Sequence, residues 1–162
     1  MSVPRPVLFA SLLAVAALGA ACDSTTIDET SRNDAGSITE GGELSVFQIR
    51  VGDCFNAGDD DTLETVDAVP CAEPHEFEAY AKFELPNGEF PGPEALKSQV
   101  EAGCVGPFAG YVGVAYESSS LYYFAVQPSA NTWEDQNDRE VVCSLTTEDG
   151  SARSGSAAGS GI

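Results

Sequence analysis

The sequence predicts a single small α+β domain with a mostly antiparallel sheet of about five strands, one packed helix and two disulfides. Three observations predict this class. Several short segments alternate apolar and polar residues, as half-buried antiparallel strands do. One segment repeats apolar residues every four positions and indicates a helix. If Cys22 is set aside, four cysteines remain, and an even number can pair completely.

The first 21 residues predict an export signal. Arg5 precedes an almost wholly apolar run at residues 7–18, and small residues then lead to Cys22. The run is typical of a secretory signal and too short to span a bilayer stably. A cysteine at this place resembles a bacterial lipoprotein signal, so we expect Cys22 to be diacylated and to become the N-terminus. Gly19 stands where such signals usually have leucine, which leaves ordinary cleavage and secretion as the alternative.

Composition divides the rest of the chain into three parts. Residues 22–43 are rich in Ser, Thr, Asp, Glu and Gly, and they predict a flexible acidic linker after the lipidated cysteine. Residues 44–150 predict the compact domain, which is long enough to bury one core. Residues 151–162 consist mostly of Gly, Ser and Ala and predict a disordered tail.

The charge of the chain restricts its partners. Removal of residues 1–21 takes away one cation and no acid, so 6 basic and 26 acidic residues remain, a net charge of −20. Such a charge repels nucleic acids and anionic lipid headgroups. We therefore expect no nucleic-acid partner, and membrane attachment only through a lipid on Cys22.

Alternation predicts the first three strands. Residues 45–51 form the first strand, with Phe47, Ile49 and Val51 on one face. Residues 62–69 form a weaker strand after a turn at residues 58–61. Residues 75–85 form the clearest strand, with the odd-numbered residues on the core face and the even-numbered residues in water.

The second half of the domain predicts one helix and two more strands. The helix begins near Pro93 after a Pro-Gly pair and ends at Gly106-Pro107, with a buried stripe of Leu96, Val100 and Cys104. Residues 121–126 are apolar on both faces and predict a central strand. Residues 139–145 predict the last strand.

The positions of the cysteines predict their pairing. Cys104 lies on the helix stripe and Cys143 on the core face of the last strand, so these two can join helix to sheet. Cys54 and Cys71 end neighbouring strands. Of three connectivities we therefore predict Cys54–Cys71 and Cys104–Cys143, and no close cysteine pair suggests a thiolate metal site.

His75 is the only histidine and the first candidate for chemistry. Glu73, Glu76 and Glu78 lie beside it in sequence, as in a metal or acid–base site. However, alternation places Glu76 and Glu78 on the face opposite His75, and a His-Glu-x-x-His motif fails because the fourth residue on is Ala79. We predict a hydrogen-bonded histidine at the sheet edge, with no metal and no cofactor.

Other residues suggest binding more than catalysis. The acidic run at 59–61 lacks calcium-loop spacing, and the sequence has neither a Gly-x-Ser-x-Gly elbow nor a phosphate loop. Trp133 lies in a polar connection, where its ring either closes over the core or anchors a partner together with Tyr122. The candidate binding surface therefore comprises His75, Glu73, Trp133 and Tyr122, and we expect no enzymatic activity.

An ordered set of motifs spans the compact domain. It comprises Val51-Gly52-Asp53-Cys54-Phe55, Val69-Pro70-Cys71-x-x-Pro74-His75-x-Phe77-Glu78, Cys104, Pro128-x4-Trp133 and Asp138-Arg139-x3-Cys143. This set resembles the actinobacterial septum-formation domain, with Asn137 where the family usually has glycine. The resemblance implies an exported or membrane-anchored protein linked by name to division septa, and it implies no defined catalytic residues.

These inferences predict a non-catalytic lipoprotein on the outer face of the cytoplasmic membrane. Its domain is expected to bind an envelope or division protein, or a wall polymer, at the septum or elsewhere in the envelope. One alternative is a small-ligand or divalent-cation receptor that uses Glu73, His75 and the acidic loop at residues 59–61. A second is a hydrolase of wall polymers, which needs paired carboxylates across a cleft.

Overall fold

The computed structural model describes Met1, residues 30–58 and residues 64–162. The predicted signal at residues 2–21, the lipidation site Cys22 and the acidic run at 59–61 lie outside the described residues.

A six-stranded sheet organises the domain. The strands are β1 (Ser31–Arg32), β2 (Ile38–Glu40), β3 (Gly42–Ser45), β4 (Cys54–Ala57), β5 (Thr65–Val69), β6 (Phe77–Glu84), β7 (Leu121–Val126) and β8 (Glu140–Thr147), and the helices are α1 (Pro93–Val112) and α2 (Ala130–Asp135). The sheet order is β3-β5-β4-β6-β8-β7, and β1 and β2 form a separate two-stranded sheet. All pairings between these strands are antiparallel. The α+β class is as predicted, although the described residues contain more strands and one more helix than expected.

The sheet buries apolar residues on both faces. On one face, the stripe of α1 packs against residues of β6, β7 and β8. On the other face, Ile49, Phe55 and Val66 form a second cluster with Val142 of β8. None of the helices in the described part of the chain is long and apolar enough to cross a membrane.

Helix α1 continues beyond its predicted end. It begins at Pro93, as predicted, but runs through Pro107 to Val112, so the predicted stop at Gly106-Pro107 is wrong. Proline inside a helix costs about 3 kcal/mol. Phe108 and Val112 extend the four-residue stripe and are fully buried, and burial of each stabilises by about 1.5–3 kcal/mol. The extended stripe therefore outweighs the proline.

A β-bulge changes which residues of β6 face the helix. Ala79 pairs with Ser144 and Ala81 with Cys143, so Tyr80 is an extra residue in the strand. Such a residue reverses the alternation after it. Glu78, before the bulge, is 1% exposed, and Tyr80, at the bulge, is 3% exposed. Beyond the bulge the odd-numbered residues face α1. The prediction that the even-numbered side chains lie in water is wrong for Glu78 and Tyr80.

The predicted first strand at residues 45–51 is also wrong. Its middle, Val46–Gln48, is a single 3-10 turn that buries Val46 and Ile49 and leaves Phe47 half exposed. A turn of three residues brings positions i and i+3 to one side, which explains why these two side chains point inward.

The domain starts earlier than residue 44. Within the predicted linker, residues 31–43 form β1, β2 and the start of β3. Arg32 makes a bidentate ion pair with Asp53, which is 3% exposed, and its Nη2 lies 2.7 Å from Oδ2. The hydrogen bond to Asp53 raises the pKa of Arg32. The predicted linker is therefore part of the fold from residue 31.

Strand β7 lies at an edge of the sheet, although its two apolar faces predict a central strand. One face packs on the α1 side, where Leu121 and Tyr123 lie. The other carries Phe124, whose ring packs against that of Phe77 at a tilt of 40°, with centroids 5.0 Å apart. Two-sided packing, not a central position, explains the apolar sequence.

Both disulfides are present with the predicted pairing. Cys54 is bonded to Cys71, and Cys104 is bonded to Cys143. The second bond joins α1 to β8 in the main core, since both of its cysteines are fully buried.

Candidate functional site

The most unusual polar group in the described domain is the carboxylate of Glu78, which is buried at the start of β6. It accepts hydrogen bonds from Tyr111 Oη at 2.9 Å, from Arg153 Nη1 at 2.9 Å, from the Ala157 backbone N–H at 2.7 Å and from the Ser156 hydroxyl. A buried charge is costly unless it is paired and hydrogen-bonded, and this one has both kinds of partner.

Three of the four donors to Glu78 come from residues 151–162, the segment predicted to be a disordered tail. Arg153, Ser156 and Ala157 all lie in residues 151–162, and Ala157 is fully buried in the core on the α1 side. The prediction of disorder is therefore wrong. Composition alone does not reveal a segment whose fixed position depends on one distant buried carboxylate.

The same segment also caps helix α1. The last carbonyls of a helix lack partners within the helix. Here the Gly159 N–H donates to the Tyr111 carbonyl and the Gly161 N–H to the Val112 carbonyl, each at 2.8 Å. Both glycines have positive φ, at 64° and 70°, which residues with a Cβ rarely adopt.

His75 is buried completely beside this cluster. Its backbone pairs with Arg153 in an antiparallel bridge, through N–H···O bonds of 2.8 and 2.9 Å. Its Nδ1 lies 2.8 Å from the Glu73 carbonyl, which can only accept, so Nδ1 carries a proton. Its Nε2 faces Arg153 Nη1 at 3.4 Å.

The cluster has the composition of a metal site but not its chemistry. Cys54, His75 and Glu78 bring ligand atoms within 4.8 Å of one another, so the argument that Glu78 cannot approach His75 is wrong. However, the sulfur of Cys54 is bonded to Cys71 and is no thiolate. The guanidinium of Arg153 lies against both His75 and Glu78 and would repel a cation. The arrangement holds the chain segments together.

Two tyrosines of this region are held in the neutral state. Burial, together with the charge of Glu78, raises the pKa of Tyr111 well above its ordinary value. Burial also raises the pKa of Tyr80, whose hydroxyl donates to the Cys104 carbonyl at 2.8 Å. Both hydroxyls therefore act as hydrogen-bond donors at neutral pH.

Trp133 belongs to a second polar–aromatic cluster, which packs against the main core. Its ring is 3% exposed, and its Nε1 donates to the Gly88 carbonyl at 3.0 Å. The guanidinium of Arg139 lies 3.6 Å from the ring centroid and donates to the Trp133 carbonyl at 2.9 Å. Trp133 thus closes over the core, which was one of its two predicted roles.

The four residues of the candidate binding surface do not form a surface. His75 and Trp133 are buried, so neither can contact a partner. Tyr122 is 42% exposed and follows Leu121, whose side chain faces α1, so Tyr122 points to the other face of β7. Only the carbonyl of Glu73 enters the His75 cluster. The prediction of a shared surface is wrong, because it assumed that His75 and Trp133 were accessible.

A comparison with family profiles gives one result. The profile described as septum formation matches residues 23–160. The chain belongs to the septum formation family. No curated protein and no solved structure matches the chain. The description of the family points to a role related to cell division.

The motifs that indicate the septum formation family are structural in this chain. Gly52 adopts a φ of 94° and donates to Ala79, and Asp53 binds Arg32. Asn137, where the family usually has glycine, adopts a φ of 53°, a left-handed conformation that asparagine tolerates. These motif residues therefore support the fold through turns and an ion pair.

Proposed function

We propose that this member of the septum formation family is a non-catalytic interaction module of the cell envelope, attached through a lipid on Cys22 to the outer face of the cytoplasmic membrane. The family assignment carries the proposal, because it covers residues 23–160 and points to cell division. Two disulfides support export, since such bonds persist in oxidising compartments.

The charge distribution supports a binding role for the surface. Of the six cations in the described residues, Arg32, Lys82 and Arg153 each pair with an acid, and Arg139 lies over the ring of Trp133. Arg50 and Lys97 are exposed, but they are far outnumbered by acidic residues, so carboxylates dominate the surface charge. Such a surface selects basic or neutral partners and rejects anionic polymers.

The buried polar groups support a role without catalysis. A general acid or base must reach substrate, yet Glu78 and His75 are covered and saturated by internal hydrogen bonds. The alternative of a divalent-cation receptor on Glu73 and His75 receives no support, because the ring of His75 faces Arg153.

Localisation and deletion in the producing cell test this proposal together. A fusion to a fluorescent protein that matures outside the cytoplasm is expected to concentrate at division sites. A deletion strain is expected to show misplaced or delayed septa. The Cys22→Ser variant is the matched control for anchoring and should release the protein from the membrane. Uniform distribution together with normal septa in the deletion strain would contradict the proposal.

A further inference from the structure

Phe47 is exposed although Val46 and Ile49, on either side of it in sequence, are buried. The 3-10 turn at Val46–Gln48 points Val46 and Ile49 into the second core and turns Phe47 outward, where 51% of it is exposed. Exposure of a large aromatic side chain has no stabilising role in the fold. Aromatic residues of this kind are frequent anchors in protein interfaces.

Phe47 lies where three cavities adjoin. One, of about 470 Å³, is lined by the cations Arg32, Arg50 and Lys82 and is set apart here. Of the other two, the first has a volume of about 610 Å³ and the second about 510 Å³, and they share Phe47, Gln136, Asp138 and Glu140. We call this combined depression the Phe47 groove. Val126 and Val142 give the first cavity an apolar floor.

The rim of the Phe47 groove is acidic. Glu64 and Glu84 are exposed at opposite ends, while Asp138 and Glu140 lie between them. Among the described residues that line the groove, Arg139 is the one cation, and its guanidinium is engaged with Trp133.

The central part of this rim is held firmly. Asp138 accepts a hydrogen bond from the Thr132 hydroxyl and another from the Glu140 N–H, each at 3.1 Å. Lys82 pairs with Glu140 at 2.9 Å and also donates to the Phe47 carbonyl at 3.3 Å. These contacts fix the turn that presents Phe47 relative to β8, so the groove is preformed.

We propose that the Phe47 groove binds an extended, positively charged segment of a partner protein. An apolar side chain of that segment packs on Phe47, and lysine or arginine side chains reach Glu64 and Glu84. Charge complementarity carries the choice of partner, because the rim is acidic and the whole chain has a net charge of −19. Two adjoining cavities on either side of an aromatic anchor suit a continuous chain better than a single small cation. This inference rests on the proposed function and names the class of its partner.

A peptide-binding measurement on the full mature chain tests the groove. The probe is a fluorescein-labelled peptide of alternating lysine and leucine, measured by anisotropy with the protein in phosphatidylcholine nanodiscs and with empty nanodiscs as the blank. We expect Phe47→Ala to weaken binding by about tenfold or more, as loss of a central anchor does. We expect Glu64→Gln to weaken it by about twofold to fivefold, as loss of a rim charge does.

Matched controls separate the groove from general electrostatics. Val51 is 52% exposed but does not line the groove, and Glu94 is an exposed acid on α1, so Val51→Ala and Glu94→Gln should leave the affinity unchanged. Equal losses in Phe47→Ala and Val51→Ala would overturn the proposal. So would equal affinity for a lysine–serine peptide, or displacement of the probe by spermine alone at the same concentration, which would indicate a site for small cations.

Crosslinking in the producing cell distinguishes failure of the groove from failure of the proposed function. A photoreactive phenylalanine analogue at position 47 should crosslink to a basic protein segment identified by peptide mapping, whereas the same analogue at position 51 should not. If the protein concentrates at septa but position 47 yields no such segment, or yields wall polymer, the groove proposal is wrong and the envelope function stands.

Discussion

Glu78 and Arg153 form a buried ion pair across 75 positions of sequence, with Arg153 Nη1 2.9 Å from Glu78 Oε2. The side chain of Glu78 is 1% exposed and that of Arg153 is 16% exposed. This pair attaches the C-terminal segment to the centre of the sheet. It makes the last residues of the chain part of the domain.

Loss of Arg153 should destabilise the fold strongly. Arg153→Ala leaves the carboxylate of Glu78 buried without its counter-ion, and breaking a buried pair in this way costs about 3–5 kcal/mol. Urea unfolding at pH 7 under non-reducing conditions measures the loss. Ser154→Ala, at an exposed neighbouring position, is the control and should change the free energy of unfolding by less than about 0.5 kcal/mol. Equal stability of the two variants would show that the tail is not held by this pair.

Gly103 is required by close packing of α1 on β6. A Cβ at this position would lie 2.2 Å from the ring of Phe83. We expect Gly103→Ala to lower the free energy of unfolding by about 1–3 kcal/mol through overpacking. Gly110→Ala, on the same helix with no atom within 4 Å of the added Cβ, should instead stabilise by about 0.5–1 kcal/mol. Thermal unfolding of both variants gives the comparison, and the same sign of change in both would contradict the packing.

The domain should lose stability in alkali. The pKa of Tyr80 is raised on folding because burial disfavours the phenolate, so the folded state keeps a proton that the unfolded state releases above about pH 10. The contribution of protonated Tyr80 to the free energy of unfolding is fully present below about pH 10. Above that pH the free energy of unfolding falls by about 1.4 kcal/mol per pH unit. Tyr111 adds to the same trend. Urea unfolding between pH 9 and 11 should show this slope, and Tyr80→Phe should reduce it. An unchanged slope in Tyr80→Phe would contradict the assignment.

Each disulfide should contribute measurably to stability. The chain-entropy model gives about 3 kcal/mol for the loop closed by Cys54–Cys71 and about 4 kcal/mol for that closed by Cys104–Cys143. We expect Cys104→Ala with Cys143→Ala to be the more damaging pair of substitutions, because both sulfurs also lie in the main core. Calorimetry of the two double variants checks this order. If the double variant at Cys104 and Cys143 lost less stability than the double variant at Cys54 and Cys71, the predicted order would be wrong.

Features set by local spacing could be predicted from the sequence, and features set by distant partners could not. The start of α1 and its stripe follow from residue types a few positions apart, and both cysteine pairs follow from the places of the cysteines on the locally predicted elements. The bulge at Tyr80 reverses an alternation that is regular in the sequence, so the burial of Glu78 was missed. One signal was available: Arg153 is the only charged residue in an otherwise small and polar tail. A lone cation does not identify its partner, so the contact with Glu78 becomes visible only in the structure.

The functional residues were harder to predict than the fold. His75 and Trp133 were chosen because they are chemically distinctive, yet the structure uses both as internal supports. Phe47 was placed on the core face of a strand, and only the 3-10 turn reveals that it is exposed. Residue type and periodicity do not report which side of a short turn a side chain occupies.

Mass spectrometry of the mature protein from the producing cell distinguishes an exported lipoprotein from a cytosolic chain. We expect an N-terminus at Cys22 that carries a diacylglyceryl group, with Cys54–Cys71 and Cys104–Cys143 oxidised. A protein that begins at Met1, carries no lipid and has five free thiols would contradict this expectation.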